Sequence, residues 1–310
     1  MRSEVQETQA KSAVTTARQP ADPRPTGLPV TPLSIDSPSY SFAYLQSSCW
    51  DEGLSMNVAH PERIIVGPHF VLIRDARRDR LLSPASQSPA TDESFAGDIR
   101  AFLEQRGDER NRIADINLDV GVGPFADLSP AVLSALDFEA VGTPGHFAVW
   151  RFAKESQTPA PTLPVGFEIH NTVPGDAYFH QRVALESKLF PISESYAARL
   201  PGALAHMVTI GSDQHWVVVE KAADRVVSYN TMRYGRGIAY LQNGGTEEAY
   251  RRKGFVRALM HVAEKDARER GYDGMGTTGC DDRAWATWAA IGFTEKVRKP
   301  QSWTWKPKSD

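Results

Sequence analysis

The sequence has few cysteines and no long apolar run, and both shortages narrow its class. Its 310 residues include two cysteines, Cys49 and Cys280, which match neither a metal-binding spacing nor a disulfide framework. No run approaches the roughly 18 apolar residues that a membrane-spanning helix needs. The first 38 residues lack the apolar segment of a signal peptide. We therefore expect a cytoplasmic protein with no membrane segment, no disulfide and no metal site.

The sequence also lacks an excess of charge of one sign. Its 35 Lys and Arg residues and 38 Asp and Glu residues leave a net charge of −3. Without a global basic field, the protein does not fit a class that binds nucleic acid by electrostatics alone. A content of 41% apolar and 24% charged residues is ordinary for soluble globular proteins. The composition therefore predicts a soluble globular chain.

Proline-rich stretches divide the chain, whose length favours two domains over one. The stretch at 155–164 separates two segments of similar size, and such punctuation is typical of linkers. We expect a disordered tail at 1–38, a first domain at 39–156, a linker at 157–164 and a second domain at 165–310.

The second domain alternates strand and helix patterns in a regular order. The long helix near its middle carries Val256, Met260, Ala263 and Ala267 at helical spacing. This order predicts a mixed α/β domain with a mainly antiparallel sheet and flanking helices. The predicted elements are strands at 165–171, 215–220, 225–230, 237–246 and 272–280, helices at 178–189, 254–270 and 283–291, and two strands within 292–306.

The first domain is less regular but repeats part of this order. Its patterns predict helix, strand, helix and strand, as in the closing half of the second domain. Before residue 155 we find no Gly-rich turn that opens a long helix. We therefore predict a degenerate copy of the second domain. The elements are one or two strands within 63–74, helices at 95–105 and 130–136, and strands at 112–122 and 146–152.

A basic turn precedes the long helix, where residues 251–256 read Arg-Arg-Lys-Gly-Phe-Val. The first N–H groups of a helix have no partner within the helix, and the macrodipole adds about half a positive charge there. Cations at this end oppose the dipole by roughly 0.3–1 kcal/mol each, so three in a row indicate an anionic ligand. Gly254 lets such a ligand approach the backbone. The turn therefore predicts a site for an anion such as pyrophosphate.

This turn resembles the donor-binding motif of the GNAT acyltransferases, which is Arg or Gln, two residues, Gly, one residue, then Gly or Ala. Val256 departs from it, since the family prefers a smaller residue there. Residues 281–293 also share the spacing of a family pattern that ends in Gly-Phe. The resemblance covers about 165–310, and the layout is similar to that of two-domain members such as mycothiol synthase. It implies tandem GNAT-like domains, the N-terminal one degenerate.

The resemblance implies acetyl-CoA or another acyl-CoA as co-substrate. Backbone N–H groups at 252–257 would hold the pyrophosphate, the Arg251 and Arg252 side chains would add charge, and the preceding strand would pair with the pantetheine amides. Asp281 stands where the family often has Asn. The implied donor-binding residues are Asn243, Gly244, Gly245, Thr246, Arg251, Arg252, Lys253, Gly254, Phe255, Val256, Arg257 and Asp281.

The implied reaction moves an acyl group, in this family most often acetyl, to a primary amine of a small molecule by direct attack on the thioester. The family's usual acid is a Tyr that here matches Trp288, whose indole cannot donate a proton at a useful pKa. Either the thiolate leaves unaided or another residue substitutes, and Trp288 is then a core or pocket-wall aromatic. Base candidates are Gln242, Glu248, His206 and His215, together with Glu247 and Tyr240, which we predict as the catalytic residues.

Two alternatives keep the fold and change the function. Some relatives use aminoacyl-tRNA as donor, and a basic cluster would then serve RNA phosphates. The missing Tyr would also fit a non-catalytic module that binds acyl-CoA. In either case we expect the acceptor to be selected by loops such as 171–180 and 190–203. The basic cluster comprises Arg233, Arg236, Arg251, Arg252, Lys253 and Arg257, interleaved with Tyr234 and Tyr240.

Overall fold

A computed structural model describes most of the second half of the chain and parts of the first. The described residues are 31–37, 40, 43, 55–56, 64–66, 71–74, 79–82, 91–105, 116–120, 125, 127–142, 145–153, 161–277, 282–299 and 301–305. Asp281, both cysteines and residues 1–30 of the predicted tail lie outside them.

The described elements include the predicted ones and three that were not predicted, namely strands at Asp79–Leu82 and Phe138–Ala140 and a helix at Glu194–Thr209. The strands are β1 (Ile64–Val66), β2 (Val71–Arg74), β3 (Asp79–Leu82), β4 (Ile116–Val120), β5 (Phe138–Ala140), β6 (His146–Arg151), β7 (Phe167–Thr172), β8 (Asp213–Glu220), β9 (Arg225–Arg233), β10 (Tyr240–Thr246), β11 (Gly274–Thr277), β12 (Glu295–Arg298) and β13 (Gln301–Trp305). The helices are α1 (Asp92–Gln105), α2 (Pro130–Ala135), α3 (Ala177–Leu189), α4 (Glu194–Thr209), α5 (Phe255–Glu269) and α6 (Asp282–Ile291).

Two sheets organise these strands. The first has the order β1-β2-β3-β4-β13-β5, and the second has the order β12-β6-β11-β10-β9-β8-β7. Among the described strands, β3–β4 and β10–β11 pair in parallel, and the other neighbours pair antiparallel. The predicted fold class, mixed α/β with mainly antiparallel sheets and flanking helices, is confirmed.

Helix α5 packs on one face of the second sheet because its apolar residues form a single stripe. Leu259, Ala263 and Ala267 are fully or almost fully buried there, among side chains of β8, β9 and β10. Burial of a side chain such as Leu259 contributes about 1.5–3 kcal/mol. The predicted stripe began at Val256, and this was wrong. Val256 is 37% exposed, and Phe255 occupies the buried position.

Helices α3 and α4 pack on the opposite face, where alternate residues of β8 and β9 meet α3. The helices begin after Asp176 and Ser193, and each of these side chains accepts a hydrogen bond from a first-turn N–H. The expectation of a loop at 190–203 was wrong, because the chain is helical from Glu194. Pro201 lies inside α4, whereas a proline in the sequence normally indicates the end of a helix.

The first sheet repeats the closing half of the second, but its last strand is not the predicted one. The strand predicted at 146–152 is β6, which lies in the second sheet, and β5 closes the repeat. The run β3, α1, β4, α2, β5 follows the same sequence of elements as β10, α5, β11, α6, β12. In both runs, a parallel pair of strands is joined through a helix. Residues 83–90, where the first run would carry its counterpart of the basic turn, lie outside the described residues.

The two halves of the chain exchange a strand. Strand β6 comes before the predicted linker, yet it lies between β11 and β12 in the second sheet. Strand β13 comes from the end of the chain and lies between β4 and β5 in the first sheet. Each sheet is therefore completed by a strand from the other half.

Residues 31–37 pack against the second sheet, although they fall in the segment predicted as a disordered tail. The Leu33 N–H donates to the Gly237 carbonyl (2.7 Å), and the Ile35 N–H donates to Asp273 Oδ1 (3.0 Å). Ile35 itself is buried. These contacts fix this segment beside the ends of β10 and β11.

Candidate active site

A cavity of about 760 Å³ opens between the end of β10 and the start of α5. Its walls come from the end of α3, from β10 and the basic turn with α5, which follow one another in the chain, and from α6. Most of the predicted donor-binding residues therefore meet in one place. The lining residues are Leu189, Phe190, Gly244, Gly245, Thr246, Tyr250, Arg251, Arg252, Gly254, Phe255, Val256, Arg257, Ala286, Thr287, Ala290 and Ile291.

The end of strand β10 forms one wall of the cavity. Among the described residues, β10 and β11 pair at Tyr240–Gly276 and Leu241–Thr277. On its other side, β10 stays paired with β9 as far as Thr246, with a register shift between Leu241 and Asn243. Such a bulge bends the strand and increases its twist. Three residues of β10 beyond this shift, Gly244, Gly245 and Thr246, line the cavity.

The turn before α5 lines the cavity through Arg251, Arg252 and Gly254. Arg252 has φ +65° and Gly254 has φ +82°, so both residues are left-handed. Gly254 is the N-cap of α5. In the described part of the chain, no side-chain hydrogen bond caps this end of the helix. The Ala258 N–H bonds to the Gly254 carbonyl (3.0 Å), so the earlier N–H groups stand before the first helical bond. The turn has the geometry of an anion site.

The cations of the turn and of the first part of α5 make different contacts. Arg251 Nε donates to the Thr246 carbonyl (3.3 Å), and Arg257 Nη2 donates to the Ala290 carbonyl (3.0 Å), so both are held at the cavity wall. Arg252 is exposed and also lines the cavity. Lys253 Nζ instead lies 4.9 Å from the centre of the Tyr250 ring and does not line the cavity. This cation–π contact fixes the turn from behind.

Residues 182–293 match the family model described as Acetyltransferase (GNAT) family. This part of the chain is a GNAT domain. The matched range includes β10, the basic turn, α5 and α6, which together form most of the cavity wall.

Solved structures share the fold over most of the chain. A tandem GNAT protein from the clavulanic acid biosynthesis pathway matches at 15% identity with a TM-score of 0.57, over 90% of this chain and 99% of its own. A GCN5-related N-acetyltransferase from Kribbella flavida matches at 13% identity with a TM-score of 0.51, over 89% of this chain and 97% of its own. No curated protein matches the chain in sequence. At these identities the matches show the fold alone, so the tandem layout is confirmed at the level of fold.

Glu247 of the GNAT domain, predicted as catalytic, is engaged in ion pairs away from the cavity. Its carboxylate contacts Lys188, and Arg225 Nη1 lies 3.4 Å from its other oxygen. The hydrogen bond from Lys188 is the main cause that lowers the pKa of Glu247. A carboxylate with a lowered pKa accepts a proton less readily. The geometry therefore gives Glu247 a structural role in joining α3 to the end of β10.

Tyr240, the other residue predicted as catalytic, is buried away from the cavity wall. Its side chain is fully buried beside Phe147 and Val149, and it does not line the cavity. Its hydroxyl accepts a hydrogen bond from Arg233 Nη1 (3.3 Å). Sequence position alone placed it on β10 but did not reveal its depth. The geometry does not support Tyr240 as a base.

Trp288 packs in the core of the GNAT domain. Its ring centre lies 5.4 Å from that of Phe293, and it joins the cluster beneath α5. It does not line the cavity, in agreement with the interpretation of a core aromatic. The GNAT domain thus lacks a hydroxyl donor at this position, since an indole N–H is a donor of hydrogen bonds and not a useful acid.

The predicted donor-binding residues in the described part of the chain divide into two groups. Nine of them line the cavity, whereas Asn243 lies behind the wall and Lys253 is turned away. Sequence analysis missed the residues contributed by α3 and α6. The glycine at position 245 is the sequence feature that relates to α3. A Cβ at this position would lie 2.5 Å from Leu189 Cδ1, so a glycine leaves room for the end of this helix. Helix α6 matched the family pattern, but its small residues gave no sign of facing a ligand.

The basic cluster considered for RNA does not form one continuous surface with the tyrosines. Arg233 is buried and forms an ion pair with Asp213 (2.7 Å). Tyr234 and Tyr240 are also buried, so they offer no stacking face to a base. The exposed cations that remain are those of the cavity and its rim.

No helix in the described ranges is long and apolar enough to cross a membrane. Within the same residues, we find no group of three or more His, Cys, Asp or Glu side chains placed to hold a metal ion.

Proposed function

We propose that this chain transfers an acyl group, most simply acetyl, from acyl-CoA to a primary amine of a small molecule in the cytoplasm. The observation that supports this most directly is the cavity at the N-terminus of α5. The first amides of α5, arginine side chains and the end of β10 converge there. The GNAT match over 182–293 is consistent with it.

In this proposal the basic turn binds the pyrophosphate of CoA. The N–H groups at the start of α5 would donate to the phosphate oxygens, and Arg252 and Arg257 would add charge from the rim. The edge of β10 from Asn243 to Thr246 would pair with the amides of the pantetheine arm. Two apolar residues, Phe190 and Val256, are each 37% exposed at the cavity and would cover the arm.

The proposed chemistry is direct attack of the amine nitrogen on the thioester carbonyl. A C–N bond forms, the C–S bond breaks, and the amine loses one proton. Among the described residues, the cavity wall carries no carboxylate and no imidazole. Tyr250 lines it, but its hydroxyl donates to Glu220 (2.8 Å) and accepts from Arg225 (2.6 Å). We therefore propose that water accepts the proton, and that the thiolate leaves unaided because thiols ionise near pH 8.5.

Two measurements test the proposal. CoA should raise the melting temperature of the purified protein, since a ligand that binds the folded state stabilises it. Acetyl-CoA should then release free thiol only when an amine from a panel of small molecules is present. Gly254→Trp, which fills the space before α5, should abolish both effects. Binding without turnover for any acyl-CoA and amine would instead favour a non-catalytic acyl-CoA-binding module.

The alternative donor, an aminoacyl-tRNA, has a separate signature. It requires an affinity for tRNA that falls steeply with salt. The buried positions of Arg233 and Tyr240 argue against it. Tight, salt-dependent tRNA binding without any effect of CoA would revive this donor and remove the proposal.

A further inference from the structure

A row of polar side chains crosses the second sheet on the face that packs against α3. Thr172, His215, Thr231 and Asn243 are cross-strand partners on β7, β8, β9 and β10. Directly opposed residues share one face of a sheet. Thr172, His215 and Thr231 are at most 1% exposed. Polar groups at such depth are costly unless they are hydrogen-bonded, so their contacts carry information.

Helix α3 supplies the partners of this row. Arg182 Nη2 donates to Thr231 Oγ1 (2.6 Å), and Arg182 Nη1 lies 2.5 Å from Glu186 Oε2. Glu186 Oε1 accepts a hydrogen bond from Asn243 Nδ2 (2.7 Å). A continuous chain of contacts therefore runs from the middle of the sheet to β10 through one arginine and one glutamate.

The chain ends on the cavity wall. Asn243 Oδ1 accepts a hydrogen bond from the N–H of Gly244 (2.8 Å), and Gly244 lines the cavity. Asn243 is also the first residue that pairs with β9 after the register shift in β10. The Asn243 side chain thus holds the backbone at the point where β10 begins to border the cavity.

Stability alone is a poor explanation for an ion pair at this depth. The Arg182 and Glu186 side chains are 1% and 9% exposed. The desolvation cost of such a pair commonly matches or exceeds its Coulombic gain, and apolar residues of similar volume often serve stability equally well. A fixed direction for Asn243, by contrast, needs a strong acceptor that cannot rotate away.

We propose that Glu186 is a positioning residue. Held by Arg182, it orients the Asn243 side chain, which sets the direction of the Gly244 N–H and of the β10 edge that meets acyl-CoA. This role rests on the proposed function, because it assigns Glu186 to the donor-binding strand of that site. No contact between Glu186 and substrate is required.

The test uses the full chain with two variants and one matched control. Asn243→Ala removes the link and leaves the Arg182–Glu186 pair intact, so the fold should be kept. Glu186→Gln removes the charge at the other end. Glu264→Gln is the control, since Glu264 is a buried helical glutamate that pairs with Arg268 at 2.7 Å, four residues away in α5. Calorimetry with CoA and hydrogen exchange of the amides at 243–246 are the readouts.

Both site variants should weaken CoA binding by about tenfold, the usual effect of one lost hydrogen bond. Both should also speed exchange at 243–246. Glu264→Gln should lower the melting temperature and leave both readouts unchanged. Wild-type CoA affinity in Asn243→Ala overturns the role of Glu186, whatever the exchange shows. If the wild type itself fails to bind CoA, the proposed function falls, and the exchange at 243–246 alone decides whether Glu186 positions β10.

Discussion

Gly292 is the position where a single methyl group should report on the exchanged strand. It joins α6 to β12 with φ +143°. A Cβ there would lie 2.8 Å from Cε2 and 2.9 Å from Cζ2 of Trp150, which comes from β6. Carbon atoms prefer about 3.5–4.0 Å. We expect Gly292→Ala to lower the free energy of unfolding by roughly 1–3 kcal/mol through overpacking and about 1–3 kcal/mol through backbone strain.

A double-mutant cycle in urea separates these two costs. Trp150→Leu makes room for the new methyl group but leaves the backbone strain of Gly292→Ala. The double variant should therefore be more stable than the sum of the two single changes, by about 1–2 kcal/mol. Strict additivity, or an unchanged midpoint in Gly292→Ala, would refute the placement of β6 beside α6. Equal m-values in all four proteins would check that unfolding remains comparable.

Three further predictions concern the turn and the buried row. Gly254→Ala and Gly211→Ala place a methyl group in open space at φ +82° and +73°. Each should lose about 1–2 kcal/mol of stability, but Gly254→Ala alone should weaken CoA binding, by at least about tenfold. In calorimetry, Arg252→Gln should weaken CoA binding about two- to fivefold, as for an exposed charge, whereas Lys253→Gln should not, and equal losses would contradict the cation–π assignment. Burial is the main cause that lowers the pKa of His215 well below its usual 6.5, with help from nearby arginines. Below pH 6.5 the unfolded state therefore binds a proton that the folded state does not, and stability falls by up to about 1.4 kcal/mol per pH unit. His215→Gln should flatten that slope in denaturation curves between pH 6.5 and 5, and an unchanged slope would show that other groups cause it.

Local patterns predicted the features that depend on neighbouring residues. The basic turn and α5 were legible because a glycine, three cations and a regular apolar stripe follow one another. Helix α4 was missed because Pro201 and Gly202 interrupt its pattern, while packing against the sheet keeps it helical. Tertiary packing decides such cases, and a single sequence shows it poorly.

The sequence also did not predict how deeply a side chain is buried or which residues it contacts. Tyr240 and Glu247 lie near the turn in sequence, but only the fold shows that one is buried and the other paired with Lys188. The contact between Glu186 and Asn243 joins residues 57 positions apart, and no periodicity encodes it. The sequence did not predict the exchange of β6 and β13 for the same reason, because the pattern of a strand does not indicate which strands it will pair with.

That exchange limits how the protein can be divided. A fragment that begins at Val165 would keep the turn and α5, but it would lack β6, the strand that lies between β11 and β12. Its own β13 would have no first sheet to enter. Strand edges left open in this way recruit other strands and promote aggregation. A shortened gene would therefore yield an aggregation-prone half of the protein, and genetic fusions are better placed at the chain ends than within the predicted linker.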